Sequence, residues 1–376
     1  MNRNRRNSFK LLGLALALTP LAGPAGAAGD DDDDGFRSGK VFTSTNATAG
    51  NEVLVYAAGK DGGLGLLTRV ATQGSGTGGG LGNQGAVTLS GNGRHLFVVN
   101  ALSNSVSTFA VRRGGLTLES TVDSGGQMPI SVTEHDGVVY VLNSGGAGNV
   151  AGFQNQAGTL QALAGGVRPL SAAGGTGPAQ VGFSPDGDVL VVTEKATNKL
   201  TSYRVRDGGR LSAPVVTASA GVTPFGFAFD KRGTLIMSEA FGGAAGASTV
   251  SSYGFGRSAP AQPLLISATV ADTQSAACWV VVTPNGRFAY VTNTGSGTVS
   301  SYAVDKSGRV SLAQAVAATS GPAPIDAAIS AAGRRLFVLN AGARTISSFD
   351  IDKEGQLSTA GAGAGLPAGA NGLAAN

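Results

Sequence analysis

A sevenfold internal repeat restricts the fold of this chain more than any other feature. A β-rich run ends at Asn46, Asn100, Asn143, Glu194, Glu239, Asn293 and Asn340, at spacings of 43 to 54 residues. A second β-rich run follows each time, at Val53–Tyr56, Val106–Phe109, Val150–Phe153, Leu200–Tyr203, Val250–Tyr253, Val299–Tyr302 and Ile346–Phe349. Each unit has room for four strands of ordinary length and their turns. A four-stranded sheet of that size cannot bury both faces alone, but units stacked radially can. No stretch keeps helical periodicity over a dozen residues. A row of separate sandwiches would need linkers, and none interrupts the repeat. Glycine makes up 60 of the 376 residues, and it falls at turns between β-branched runs, the pattern of many short strands. The expected fold is all-β: a seven-bladed β-propeller with four-stranded antiparallel blades.

The ends predict how the ring closes. The first unit opens at Val41–Asn46, which matches the second strand of a blade, so its inner strand is missing. The last unit leaves a surplus, Pro367–Ala375, whose start echoes Pro322–Ala328. The C-terminal segment should supply the inner strand of the first blade and remove two open sheet edges.

Residues 1–27 read as an export signal: Arg3, Arg5, Arg6 and Lys10, the apolar run Leu11–Leu18, then Ala25-Gly26-Ala27. The apolar run is too short for a permanent membrane span. The pair Arg5-Arg6 leaves general secretion and a twin-arginine route both open. Residues 28–39, with Asp30–Asp34, read as an acidic disordered leader, and residues 40–376 as the propeller. The chain has 27 basic and 23 acidic residues. Four basic residues and no acidic ones precede residue 28, so the mature chain is balanced and carries no nucleic-acid footprint. The expected location is periplasmic or secreted, and the expected state a monomer without a membrane span. Cys278 is the only cysteine, which excludes an intrachain disulfide and a cysteine-rich metal site.

Tyr290-Val291-Thr292-Asn293 and the Pro-x-Gly turns resemble the YVTN-type propellers. The mature chain as a whole resembles the lactonase propellers, the group of 6-phosphogluconolactonases and carboxymuconate-lactonising enzymes. The most informative stretch runs from Gly177-Pro178-Ala179-Gln180 through Phe183-Ser184-Pro185-Asp186-Gly187 to Thr193-Glu194. Its frame, its turn and its glutamate match the family pattern. The Arg-His pair of that pattern is absent, and Ala179 and Gln180 stand in its place. The resemblance implies a lactone-ring hydrolase. The missing pair favours a non-catalytic binding propeller.

In a propeller, inner-strand starts and second-strand ends share one face around the channel. Five of the seven strand ends are Asn, a residue that serves turns. Glu194 and Glu239 depart from this in adjacent blades. Two converging carboxylates would raise one another's pKa, and one could act as general base on a lactone carbonyl. The alternative is a pair of solvated rim charges. Gln180, Trp279 and Asp326 at inner-strand starts, Asn293 and Asn340 at strand ends, and Arg168 and Arg344 in loops are the candidates for substrate binding. Trp279 is the only Trp and would either stack on a ligand ring or sit in the core. A divalent cation held by Glu, Asn and Asp oxygens is a third possibility, with no ligand set assigned. His95 and His135 lie by inter-strand turns, which argues against a Ser-His-Asp triad. The glycine-rich run Gly74–Gly82 precedes no helix, so a phosphate loop is not supported.

Overall fold

The computed structural model describes residues 39–256 and 261–376. The export signal lies outside the described residues, as does the acidic leader up to residue 38. Seven four-stranded antiparallel sheets form the blades of a ring. The second strands are Lys40–Ser44, His95–Asn100, Val138–Asn143, Val189–Glu194, Leu235–Glu239, Phe288–Asn293 and Arg335–Asn340. Six of them end on the residues expected from the repeat. The first stops two residues short of Asn46, which turns into the left-handed region at φ 48°. There its N–H donates to Asn51 Oδ1 at 2.8 Å.

Blades number from the N-terminus. Blade 1 closes as expected: Asn371–Ala375 pairs with Lys40–Ser44, with Val41 opposite Ala375 and Phe42 opposite Ala374. The other inner strands, in blades 2 to 7, are Val87–Leu89, Pro129–His135, Pro178–Phe183, Pro224–Phe229, Ala277–Val282 and Pro324–Ile329. Four of these open on Pro, which has no N–H to give to a ladder and is placed where none is needed.

The core is divided among the blade interfaces. Leu54, Phe337 and Ile346 pack between blades 7 and 1, Val99, Val141 and Phe153 between blades 2 and 3, and each remaining interface holds a comparable cluster. Each blade is thus covered on both faces. This is why the strand Val189–Glu194 is buried at every residue and shows a continuous apolar run rather than alternation. Tyrosine hydroxyls cross the interfaces to backbone; Tyr203 of blade 4 donates to Pro169 O of blade 3 at 2.6 Å. Outer strands such as Leu64–Ala71 are largely exposed. Among the described residues the only helices are the single turns Asp207–Gly209 and Phe241–Gly243, and none is long and apolar enough to cross a membrane.

Candidate functional site

Register brings inner-strand starts and second-strand ends together. Pro178 pairs with Glu194, Pro224 with Glu239, Ala277 with Asn293 and Pro324 with Asn340. The strand ends nevertheless do not open onto the channel. Glu194 and Glu239 are both 0% exposed. The incoming loop of each blade lies over them. A Cβ on Gly221 would stand 2.7 Å from the Glu239 carboxyl carbon, so only glycine lets this loop close.

Each carboxylate is satisfied within its own blade. Glu194 Oε1 accepts from Ser171 N at 2.9 Å and Thr201 Oγ1 at 2.6 Å. Its Oε2 accepts from Thr197 Oγ1 at 2.9 Å and from the Ser171 hydroxyl. Glu239 accepts from Gly221 N at 3.1 Å and from the Thr249 hydroxyl. Burial raises the Glu239 carboxyl above its ordinary value, and the hydrogen bonds from Ser251, Thr249 and Gly221 partly oppose this. No hydrogen bond links the two glutamates. Asn293 and Asn340 hold the same place with reversed polarity. Asn293 Nδ2 reaches Ser300 Oγ at 2.8 Å, and Asn340 Nδ2 reaches Ser347 Oγ at 2.9 Å.

The remaining candidates do not gather at one place. The guanidinium of Arg168 is spent on carbonyls, with Nη2 on Leu211 O at 2.8 Å and Nη1 on Gly165 O at 2.6 Å. Arg344 is exposed in a turn at φ 56°. Asp326 is buried, and burial drives its carboxyl well above the ordinary range. It accepts from the backbone of Ala327 and of Leu373, so it ties blade 7 to the closing strand. Trp279 is 3% exposed. Its ring lies 5.0 Å from that of Phe225, and its N–H donates to Asn83 O at 2.8 Å.

That last bond belongs to a feature the sequence did not announce. Residues 81–85, between blades 1 and 2, cross the channel. Lys195 donates to Gly82 O and lies over the Phe225 ring at 4.8 Å. Burial lowers its ammonium pKa. Gln84 N donates to Ala179 O in blade 4 at 3.1 Å. The Gln84 carboxamide pairs with blade 6, Nε2 to Val280 O at 2.9 Å and Val280 N to Oε1 at 3.2 Å.

The reason lies in a belt of bonds between inner strands. Two residues after the opening Pro, Ser131 Oγ accepts from Val181 N of the next blade at 3.2 Å. Gln180 does the same with Phe227 N at 2.7 Å and also donates to Phe227 O at 2.9 Å. In blade 5 that position is Gly226, which has no side chain to offer. Gln84 reaches across the channel and fills the gap, and a Cβ on Gly226 would collide with it. This detour leaves blade 2 an inner strand of only three residues, Val87–Leu89. The Gly-rich approach before this strand was the signal the sequence offered.

Beyond Gln84 the channel opens as a blind cavity of about 520 Å³. Its walls come from the inner strands of blades 2 to 7 and include Gln180, Phe183, Phe229, Val282 and Ile329. Gln180 therefore lines this cavity, while the two glutamates do not. Among the described residues no group of three or more His, Cys, Asp or Glu is placed to hold a metal ion.

Known structures share this architecture. The periplasmic gluconolactonase PpgL of Pseudomonas aeruginosa superposes with a TM-score of 0.68 at 20% identity, over 89% of this chain and 98% of that one. A protein from Lactobacillus plantarum does so at 0.73 and 19%, over 90% and 99%. A protein of unknown function from Desulfotomaculum acetoxidans gives 0.68 and 13%, over 90% and 98%. At these identities the likeness shows the fold alone. No curated protein sequence matches the chain. The sequence model of the lactonase seven-bladed β-propeller matches residues 49–164, 147–240 and 250–370. With a match over most of its length and seven closed blades, the chain belongs to the lactonase family of seven-bladed β-propellers.

Proposed function

We propose that this chain is an exported, monomeric small-molecule-binding propeller that takes its ligand in the blind channel, with lactone-ring compounds the first class to test. The observation that supports this is the contrast between the channel and the strand ends. The channel is a cavity of about 520 Å³, within the range of about 300–1,000 Å³ usual for small-molecule sites. Glu194 and Glu239 are buried and fully occupied by their own blades. Calorimetric titration of the mature chain with lactones, alongside base titration of any acid released, tests the reading. Binding without acid release supports it, and absence of binding to any lactone sinks it. Export rests on the N-terminal pattern, and the periplasmic neighbour supports it. Cell fractionation and light scattering test location and state.

Hydrolysis at Glu194 and Glu239 is the second reading, favoured by the family and by the raised Glu239 carboxyl. It requires the covering loops to lift, because every oxygen that would take a proton from water already holds a protein donor. On this reading Glu194→Gln and Glu239→Gln would each lower turnover by roughly 10²–10⁴-fold. Each of these oxygens already holds a protein donor, and among the described residues no group of three or more His, Cys, Asp or Glu surrounds them to hold a divalent cation.

A further inference from the structure

We propose that the channel selects by charge: it takes an uncharged ring compound and rejects the carboxylate formed when such a ring opens. This rests on the channel being the ligand site. The residues lining the cavity include no Asp, Glu, Lys, Arg or His. An anion entering it would shed water and meet no cation, which is a heavy penalty. A neutral ring meets the partly exposed faces of Phe183, Phe229, Val282 and Ile329.

The polar groups suit one or two neutral acceptors. Gln180 spends one N–H and one lone pair on Phe227, at 2.9 and 2.7 Å. Its second N–H remains for a ligand oxygen. The half-buried Thr133 hydroxyl has no protein partner among the described residues. Thr88 is not free, because its hydroxyl donates to Val132 O at 2.8 Å. A lactone carbonyl or a ring ether oxygen matches these donors, and a carboxylate asks for a charge they lack.

Three probes with one carbon skeleton separate ring from charge: dihydrocoumarin, its ring-opened acid 3-(2-hydroxyphenyl)propanoate, and the corresponding amide. Binding is read on the mature chain by calorimetry and saturation-transfer NMR at about pH 6, where the acid is ionised. The lactone and the amide should bind, with the acid weaker by about tenfold or more. Val282→Arg sets a guanidinium beside the cavity and should strengthen acid binding by about tenfold. Val282→Trp should abolish binding of all three; if that variant fails to fold, Ala331→Trp at the exposed rim serves instead. Acid and amide binding equally well, with the Trp variant blocking both, would overturn the charge rule while leaving the channel as the site. Binding of none, or binding that survives the Trp variant, would overturn the channel reading and the charge rule together.

Discussion

Glu194 and Asn293 occupy one position of the blade repeat and perform one task with opposite polarity. Asn293 donates to hydroxyls on the next strand, whereas Glu194 accepts from the hydroxyls of Thr197 and Thr201. Glu194→Ala leaves those donors and Ser171 N facing a void, and should cost about 3 kcal/mol in a denaturant titration. Glu194→Gln should cost about 1 kcal/mol, since the hydroxyls can turn to accept. If both variants keep wild-type stability, the glutamate does not hold the loop. Asp326 gives a pH prediction. Its folded-state pKa is raised, so the fold favours the protonated form. That contribution is complete below the unfolded value of about 3.9 and is lost as pH rises through the folded value. Asp326→Asn keeps an acceptor for Leu373 without the charge. It should melt higher than the parent by about 2 °C or more at pH 8, with the gap closing toward pH 4. A gap that is constant with pH would show that Asp326 is not the titrating group.

At the scale of an element, the crossing segment 81–85 converts an open channel into a blind one. Its anchor is the Gln84 carboxamide on Val280, set where Gly226 lacks a side chain. Gln84→Ala removes that anchor without the clash that a Cβ on Gly226 would make with the Cys278 carbonyl, and should loosen the cover over Trp279. In the parent, a collisional quencher should hardly reach the indole, which is 3% exposed. In the variant the quenching constant should rise by roughly twofold or more, the mark of a locally opened segment. Equal quenching in both proteins would mean that Gln84 is not what holds the segment down.

Across the whole molecule, stability depends on closing the ring. Each blade is buried only because neighbours cover it, so an open first blade exposes its cluster and an unpaired edge. Truncation after Gly365 removes Leu366, Ala370 and Leu373 from the cluster between blades 7 and 1, together with the strand paired to Lys40–Ser44. Solubility and melting temperature should fall together, by many degrees rather than a few. A truncated chain that melts with the parent would refute closure by this strand.

The blade count, the strand ends and the closing strand were legible in the sequence because each repeats a local pattern of turn residue, β-branched run and strand-end Asn or Glu. Local spacing carries that information, and seven copies reinforce it. Glu194 and Glu239 stood out for the same reason, as breaks in a repeated position. Their surroundings did not follow from spacing. Whether a strand-end side chain meets water or a neighbouring loop depends on how a loop distant in space lies over it, which required Gly221 and Ser171 in three dimensions. The partnership of Gln84 with Val280 is further from view, joining residues 196 apart across the channel. No local preference encodes it; it arises because radial packing brings a glycine gap in blade 5 opposite a carboxamide from the segment between blades 1 and 2. The sequence alone therefore determined the ring, and only the tertiary structure decided which end of the channel is open and which side chains face it.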